Sequence, residues 1–327
     1  MSSSVHGDVA DVGRLAGWRV LVVGDLVLDA YITGRPARVS REAPVLILDV
    51  LEHDHRAGSA ASPAANVIAL GSHATVVGVV GCDPAGVRLQ DDLRAHGVDD
   101  TGLVRSPDAA TSTKTRILAQ GFTGGLHGRQ QVLRLDEAEP LPAASAQACT
   151  DLVARLAPEF DAILLSDYRG GVVTEATIAA ARASRRPISV DSQGDLRRFR
   201  SFDLLKINQA EAQLALGSDD VLGGGDVLRR ELAARVLVIT LGAEGMLVFE
   251  DGAEAAHVAA VRATEVFDIT GAGDTVIAVL TLGLIAGLST RRAAELASAA
   301  ASVVVRRLGV AVATADEIVT ALKNASV

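Results

Sequence analysis

The chain has 327 residues, a formal charge of −9, 49% apolar residues and only 3% aromatic ones. That length fits one large α/β domain or two ordinary ones, with enough Ala, Val and Leu for a sizeable core. The acidic balance excludes the basic footprint of a nucleic-acid binder; small anionic substrates stay open, because local arginines can serve them.

Residues 1–13 lack the positive start and apolar core of a signal peptide and are expected to be a disordered leader before one domain, 14–327. Arg19–Val23 is a β-branched run ending in Gly24-Asp25, as in a buried parallel strand. Residues 30–56 alternate and carry turn residues; with 113–136 they are expected to form antiparallel strands of a small β lid. An Ala-rich helix over 60–70 stops at Gly71, a strand follows over 74–80, and a helix over 86–96 stops at Gly97. Thr113–Ala119 and Gln130–Asp136 read as two strands joined by GFTGGLHG, a flexible hairpin or insertion. Strands over 162–165, 188–190, 204–207 and 236–240 then alternate with helices over 174–184 and 209–216. Glycines 223–225 lack a preceding strand and are expected in a loop. A hairpin pairs 245–249 with 256–261, and helices over 273–287, 290–307 and 314–324 close the chain. The longest apolar run, 275–288, is too short for a bilayer and contains Gly283 and Gly287, so it reads as a buried helix with no membrane partner. Cys82 and Cys149 have neither metal nor redox spacing, which fits a reducing cytoplasm. Strands separated by helical patterns imply an α/β fold, a mostly parallel central sheet with helices on both faces.

In open α/β sheets, ligands bind beyond the carboxyl ends of the strands. The candidates are therefore Asp25, Asp29, Ser166-Asp167-Tyr168, Asp191, Asn208, Glu211, Gly242, Gly245 and the run Asp268 to Asp274. Carboxylates, amides and glycines suit a magnesium nucleotide and sugar hydroxyls better than a redox cofactor. The most informative stretch is VFDITGAGDTVI at 266–277. A strand-like run ends at Asp268, Thr270-Gly271-Ala272-Gly273 makes a tight turn, and Asp274 opens an apolar helix. Glycines allow close backbone approach, and the first N–H groups of a helix lack partners, so this junction suits an anion. A carboxylate in that place fits phosphoryl transfer: the amides hold the phosphate and Asp274 deprotonates the acceptor. The alternative is that the glycines shape a turn and Asp274 caps the helix. Asn208 and Glu211 could equally be caps, and Asp29 a turn aspartate. Arg38, Lys114, Arg116 and Arg134 could bind a substrate phosphate from the lid or be solvated strand surface. His53 and His55 alternate on a strand without a third ligand and read as a solvated face.

In this order the segments resemble the ribokinase-type (PfkB) sugar kinases, whose closing signature is D-T/I-T-G-A-G-D-T, from about residue 18 to 322. Within that family the chain is most similar to D-glycero-β-D-manno-heptose-7-phosphate kinases. The similarity lies in VLVVGDLVLDAYITGRPARVSREAPV at 20–45, TKTRILAQ at 113–120, QQVLRLDEAEP at 130–140 and LLSDYRGG at 164–171. FDITGAGDTVIAVL at 267–280 and AAASVVVRRLGV at 299–310 extend it.

The resemblance implies a ribokinase-like fold and transfer of the ATP γ-phosphate to a sugar or sugar-phosphate hydroxyl, with Mg2+ and, in some relatives, K+. By position it implies that Asp274 is the catalytic base and that the amides of Gly271, Ala272 and Gly273 are the anion hole. Asn208 and Glu211, in NQAE, match an N-x-x-E element that organises magnesium and phosphates, Glu211 acting through water. Thr240, Gly242 and Gly245 match the nucleotide-phosphate turn, while Asp268 and Thr270 match part of a monovalent-cation loop. Asp29 matches the carboxylate for substrate hydroxyls, and Asn66 lies in the helix that presents amides to the sugar. The implied partners are a sugar phosphate and ATP, and open lid edges suggest a homodimer. The alternatives are a kinase for ribose, fructose or fructose 6-phosphate, and a non-catalytic sugar- or nucleotide-binding regulator. No GxxxxGK[ST] occurs, so a helix N-terminus must hold the phosphates.

The chain also departs from the pattern. Residues 58–62 read Gly-Ser-Ala-Ala-Ser where the subgroup shows G-G-A-A-N, Gly170 replaces a lysine, and D-P-K-G has become Asp191-Ser192-Gln193-Gly194. With the extra GFTGGLHG, these are expected to bear on the acceptor or nucleotide periphery and not on the phosphoryl-transfer residues. With 53 residues after Asp274, no second, nucleotidyltransferase domain is expected within this sequence.

Overall fold

The computed structural model describes residues 2–121, 129–261, 268–307 and 309–325, with side chains from Gly7 onward. Helix α1 (Ser2–Gly13) leads into β1 (Arg19–Gly24), then β2 (Leu26–Val39) and β3 (Leu46–Ser59). Next come α2 (Ala61–Ala69), β4 (His73–Gly81), α3 (Pro84–Ala95), β5 (Asp99–Ser106), β6 (Thr113–Gln120) and β7 (Arg129–Glu137). The chain continues through α4 (Ala143–Leu156), β8 (Ala162–Asp167), α5 (Glu175–Ala183), β9 (Ile188–Ser192) and β10 (Leu204–Asn208). It then passes α6 (Gln209–Leu216), α7 (Val221–Glu231), β11 (Val236–Thr240), β12 (Met246–Glu250) and β13 (Ala256–Val258). Helices α8 (Ala272–Ile285), α9 (Thr290–Val304) and α10 (Ala315–Ala325) follow.

Nine strands form one sheet, β13-β12-β11-β10-β9-β8-β1-β4-β5, parallel except that β12 runs antiparallel to its neighbours β11 and β13. Side-chain alternation divides its residues between two cores. Val20 and Val22 of β1 pack with Ala64, Ile277, Leu280 and Leu296 on one face; Leu21 and Val23 pack with Val153, Ile178 and Leu228 on the other. Helices therefore cover both faces, as a buried parallel sheet requires. A second sheet, β3-β2-β6-β7, forms the lid. Its β2–β3 and β6–β7 pairs are antiparallel as expected, but β2 and β6 run parallel, because the chain passes through the main sheet between them.

Four elements go beyond the sequence expectations. Residues 2–13 are helical and not a disordered leader: Val12 is 2% exposed, and Arg292 of α9 reaches Asp8 at 2.5 Å and Asp11 at 2.8 Å. Glycines 223–225 lie inside helix α7, not a loop; a Cβ on Gly225 would lie 2.2 Å from Cζ of the Phe249 ring on β12. Close helix–strand packing is what calls for glycine there. Strand β5 and helix α4 also went unread. The expected connection at 122–128 and the strand-like run at 262–267 lie outside the described residues. Among the described residues, no helix is long and apolar enough to cross a membrane.

Register aligns the strand ends. Gly24 pairs with Ser166, Ser166 with Asp191, Asp191 with Lys206, and Asn208 with Thr240. Five neighbouring strand ends thus align along one edge of the sheet, where α8 begins, four of them carrying polar side chains.

Candidate active site

Gly271 is the N-cap of α8, with φ 80°, a left-handed conformation that glycine adopts without penalty. No side chain caps this helix. Asp274, in its first turn, is 6% exposed and accepts a 2.9 Å hydrogen bond on Oδ1 from the Tyr168 hydroxyl. The capping alternative for Asp274 is thereby removed. Burial first, and the neighbouring Asp191 carboxylate second, push its pKa up to about 7, against the pull of Lys206, Tyr168 and Ser62. The amide of Ala272, one of the three expected to form the anion hole, donates instead to Ile269 O at 3.2 Å.

Tyr168 is the hub. Its hydroxyl pKa is held well above the ordinary value by burial, then by Asp274, Asp191 and Asp29. The Lys114 ammonium of the lid lies 5.5 Å from the centre of its ring. Asp29, 5% exposed, is ion-paired to Arg116, whose guanidinium stacks 5.4 Å from the Tyr31 ring. Lys114 of the lid thus lies over Tyr168, the residue that donates to Asp274, while Arg116 is held at Asp29 beside Tyr31. Arg116 is engaged with Asp29 and acts first as its holder. Asn66 is fully buried; its Nδ2 donates to Ser62 O at 3.0 Å, while Oδ1 has no hydrogen-bond partner among the described residues. Arg134 is spent on Asp136, at 2.6 Å, on the exposed strand β7. Arg38 is exposed and nine residues beyond Asp29 on β2, ~30 Å away at the rise of a strand, and is not brought to the site.

On the nucleotide side, Asn208 and Glu211 form the capping box of α6: Asn208 N–H donates to Glu211 Oε2 at 2.8 Å, and Glu211 N–H to Asn208 Oδ1 at 2.9 Å. Burial raises the Glu211 pKa, with Asp191 adding to it, against the pull of the Asn208 amide. Thr240 stands beside Asn208 in register, and Gly242 and Gly245 shape the exposed turn that follows. Asp268 clamps two segments: Oδ1 accepts from Thr270 N–H and Oδ2 from Gly309 N–H, both at 2.9 Å. Among the described residues, no three His, Cys, Asp or Glu side chains gather as a metal site.

Two expectations about the departures change. Ser62 does touch the phosphoryl-transfer turn: a Cβ on Gly271 would lie 3.5 Å from Ser62 Oγ, and the Ser62 hydroxyl helps lower the Asp274 pKa. Gly170 packs onto Asp25, whose carboxylate would lie 2.8 Å from a Cβ there and accepts the amides of Tyr168, Gly170 and Val172. Asp25 is thus an anchor for the Tyr168 loop. One residue was missed. Lys206, 6% exposed on β10, pairs with Asp191 at 2.6 Å beneath the turn. Its signal was a lysine inside the apolar run LLKIN.

Residues 19–317 match the pfkB family carbohydrate kinase profile. The chain belongs to this family. Among curated relatives it is 38% identical over 321 residues to bifunctional protein HldE of Trichlorobacter lovleyi, covering 94% of this chain and 64% of that one. It is 39% identical over 319 residues to the HldE of Chromohalobacter salexigens, covering 95% of this chain and 65% of the relative. The chain thus spans a little under two thirds of the length of these relatives. Among solved structures, Escherichia coli phosphofructokinase-2 in complex with fructose-6-phosphate superposes with TM-score 0.76 at 19% identity, over 95% of this chain and all of that one. Arabidopsis thaliana ribokinase complexed with ribose and ATP gives 0.73 at 19% identity, covering 94% and 99%. These last two show the pfkB kinase fold alone.

Proposed function

We propose that this pfkB-family kinase transfers the γ-phosphoryl group of ATP to the anomeric hydroxyl of D-glycero-β-D-manno-heptose 7-phosphate, giving the 1,7-bisphosphate and ADP. The observation that carries the reading is Asp274: a buried carboxyl with a pKa near neutrality, fixed by Tyr168 at an uncapped helix start that favours an anion. In the proposed reaction Asp29 and Asn66 orient the sugar, and Lys114 meets its phosphate. Asp274 takes the O1 proton as O1 attacks the γ-phosphorus and the bond to the β–γ bridging oxygen breaks. The Gly271 and Gly273 amides stabilise the moving group, which needs positioning and charge neutralisation more than covalent help.

A single half-buried Glu211 and no gathered acidic cluster among the described residues fit a magnesium ion held through water and phosphates and not by an all-protein cage. Bound there, Mg2+ would neutralise phosphate charge. Asp268 and Thr270 would hold K+, since each Asp268 oxygen accepts one amide and keeps a lone pair; turnover should rise when K+ replaces Na+.

A second reading, a kinase for another sugar, is favoured by Ser59 and by Ser62 at the turn. An acceptor panel at fixed ATP and Mg2+ decides between them. Heptose 7-phosphate should give the highest kcat/KM. Preference for ribose or fructose would overturn the substrate and the role of Lys114 as a phosphate ligand.

A further inference from the structure

Lys206 lies in the apolar strand β10, and its ammonium is held by Asp191 at 2.6 Å from the register position opposite on β9. A Cβ on Gly273 would lie 2.8 Å from Lys206 Nζ. Such a buried pair is a weak stabilising device, because desolvation offsets most of its attraction. Its position offers another use: the charge stands in contact with the first turn of α8, where amides and helix dipole already favour an anion. Burial works against the ammonium, but Asp191, with Asp274 and Glu211 behind it, outweighs this and keeps it charged. The loop after β9 has an exposed glutamine, Gln193, at the position where the subgroup pattern carries lysine. The chain holds three lysines, Lys114, Lys206 and Lys323, against 28 arginines. Two of the three, Lys114 over the Tyr168 ring and Lys206 beneath the turn, sit at this site, each a compact point charge.

We propose that Lys206 is a further catalytic residue, whose Nζ contacts a γ-phosphoryl oxygen of ATP at the Gly271–Gly273 turn. It neutralises charge on the transferring group as the bond to ADP breaks and the bond to the acceptor oxygen forms, with Asp191 aiming the ammonium. No proton leaves the lysine. The proposal deepens the kinase reading and rests on it.

The test is Lys206→Met, titrated calorimetrically with a non-hydrolysable ATP analogue and with ADP, both with Mg2+. Affinity for the analogue should fall about tenfold with ADP unchanged, and turnover on the best acceptor by about a hundredfold. Because methionine leaves Asp191 buried and unpaired, the double variant Lys206→Met/Asp191→Asn controls for folding. It should recover thermal stability and keep the selective loss of analogue affinity. Equal losses for analogue and ADP, or undiminished turnover, would overturn the proposal. If no acceptor were turned over by the wild type yet the analogue-selective loss appeared, the acceptor assignment would fall and the γ-phosphoryl contact would stand.

Discussion

Asp274 is stabilised by little and charged at a cost, which suits a base working near neutrality. With a free-enzyme pKa of about 7, kcat/KM should fall about tenfold per pH unit below that value and level off above it. Its linkage to stability has a definite sign. The folded pKa lies above the unfolded 3.8, so the contribution is fullest below pH 4 and is lost as pH rises through about 7. Asp274→Asn should therefore stabilise the fold at pH 8, by roughly 2–4 kcal/mol, and much less at pH 4. Urea unfolding at both values checks this; equal effects would show that Asp274 is not a strained carboxyl. In the proposed reaction Lys114 serves the acceptor. Lys114→Ala should raise the KM for a phosphorylated sugar about 10–100-fold, as for a lost charged hydrogen bond, and leave the KM for ATP unchanged.

At the scale of elements, the turn opening α8 was legible because its glycines and its carboxylate follow from local chemistry. So was NQAE, although both of its roles remain visible: Asn208 and Glu211 do cap α6. Helix α7 was not legible. Three successive glycines oppose helix propensity, and only the Phe249 ring across the interface explains Gly225. Gly225→Ala should cost about 1–3 kcal/mol through overpacking, measured as a lowered urea midpoint. Ser59 shows the reverse case. It holds φ 55° while 7% exposed, a conformation suited to the glycine it replaces. Ser59→Gly should stabilise by about 0.5–1 kcal/mol. Lys206 escaped notice because one charge in a five-residue apolar run is ambiguous until the register sets it against Asp191.

For the whole molecule, the rule that ligands gather beyond strand ends placed Asp29, Tyr168, Asp191, Asn208 and Asp274 along one edge before any coordinate was known. It could not say which lid cations turn inward. Lys114 and Arg116 reach Tyr168 and Asp29, whereas Arg38 and Arg134 do not, a distinction set by strand register and pairing. The lid also exposes Val39, Leu46, Val50, Leu51, Leu133 and Leu135. So much apolar surface on a sheet with open edges supports the homodimer expected from the sequence, which we propose buries this face; light scattering should give a dimer mass for the wild type and a monomer mass for Leu133→Asp. The most direct test of the account is Asp274→Asn, measured for ATP-dependent turnover of the preferred acceptor and for nucleotide affinity in the same preparation. The account predicts turnover lower by about two to four decades with ATP affinity retained. Undiminished turnover would contradict it.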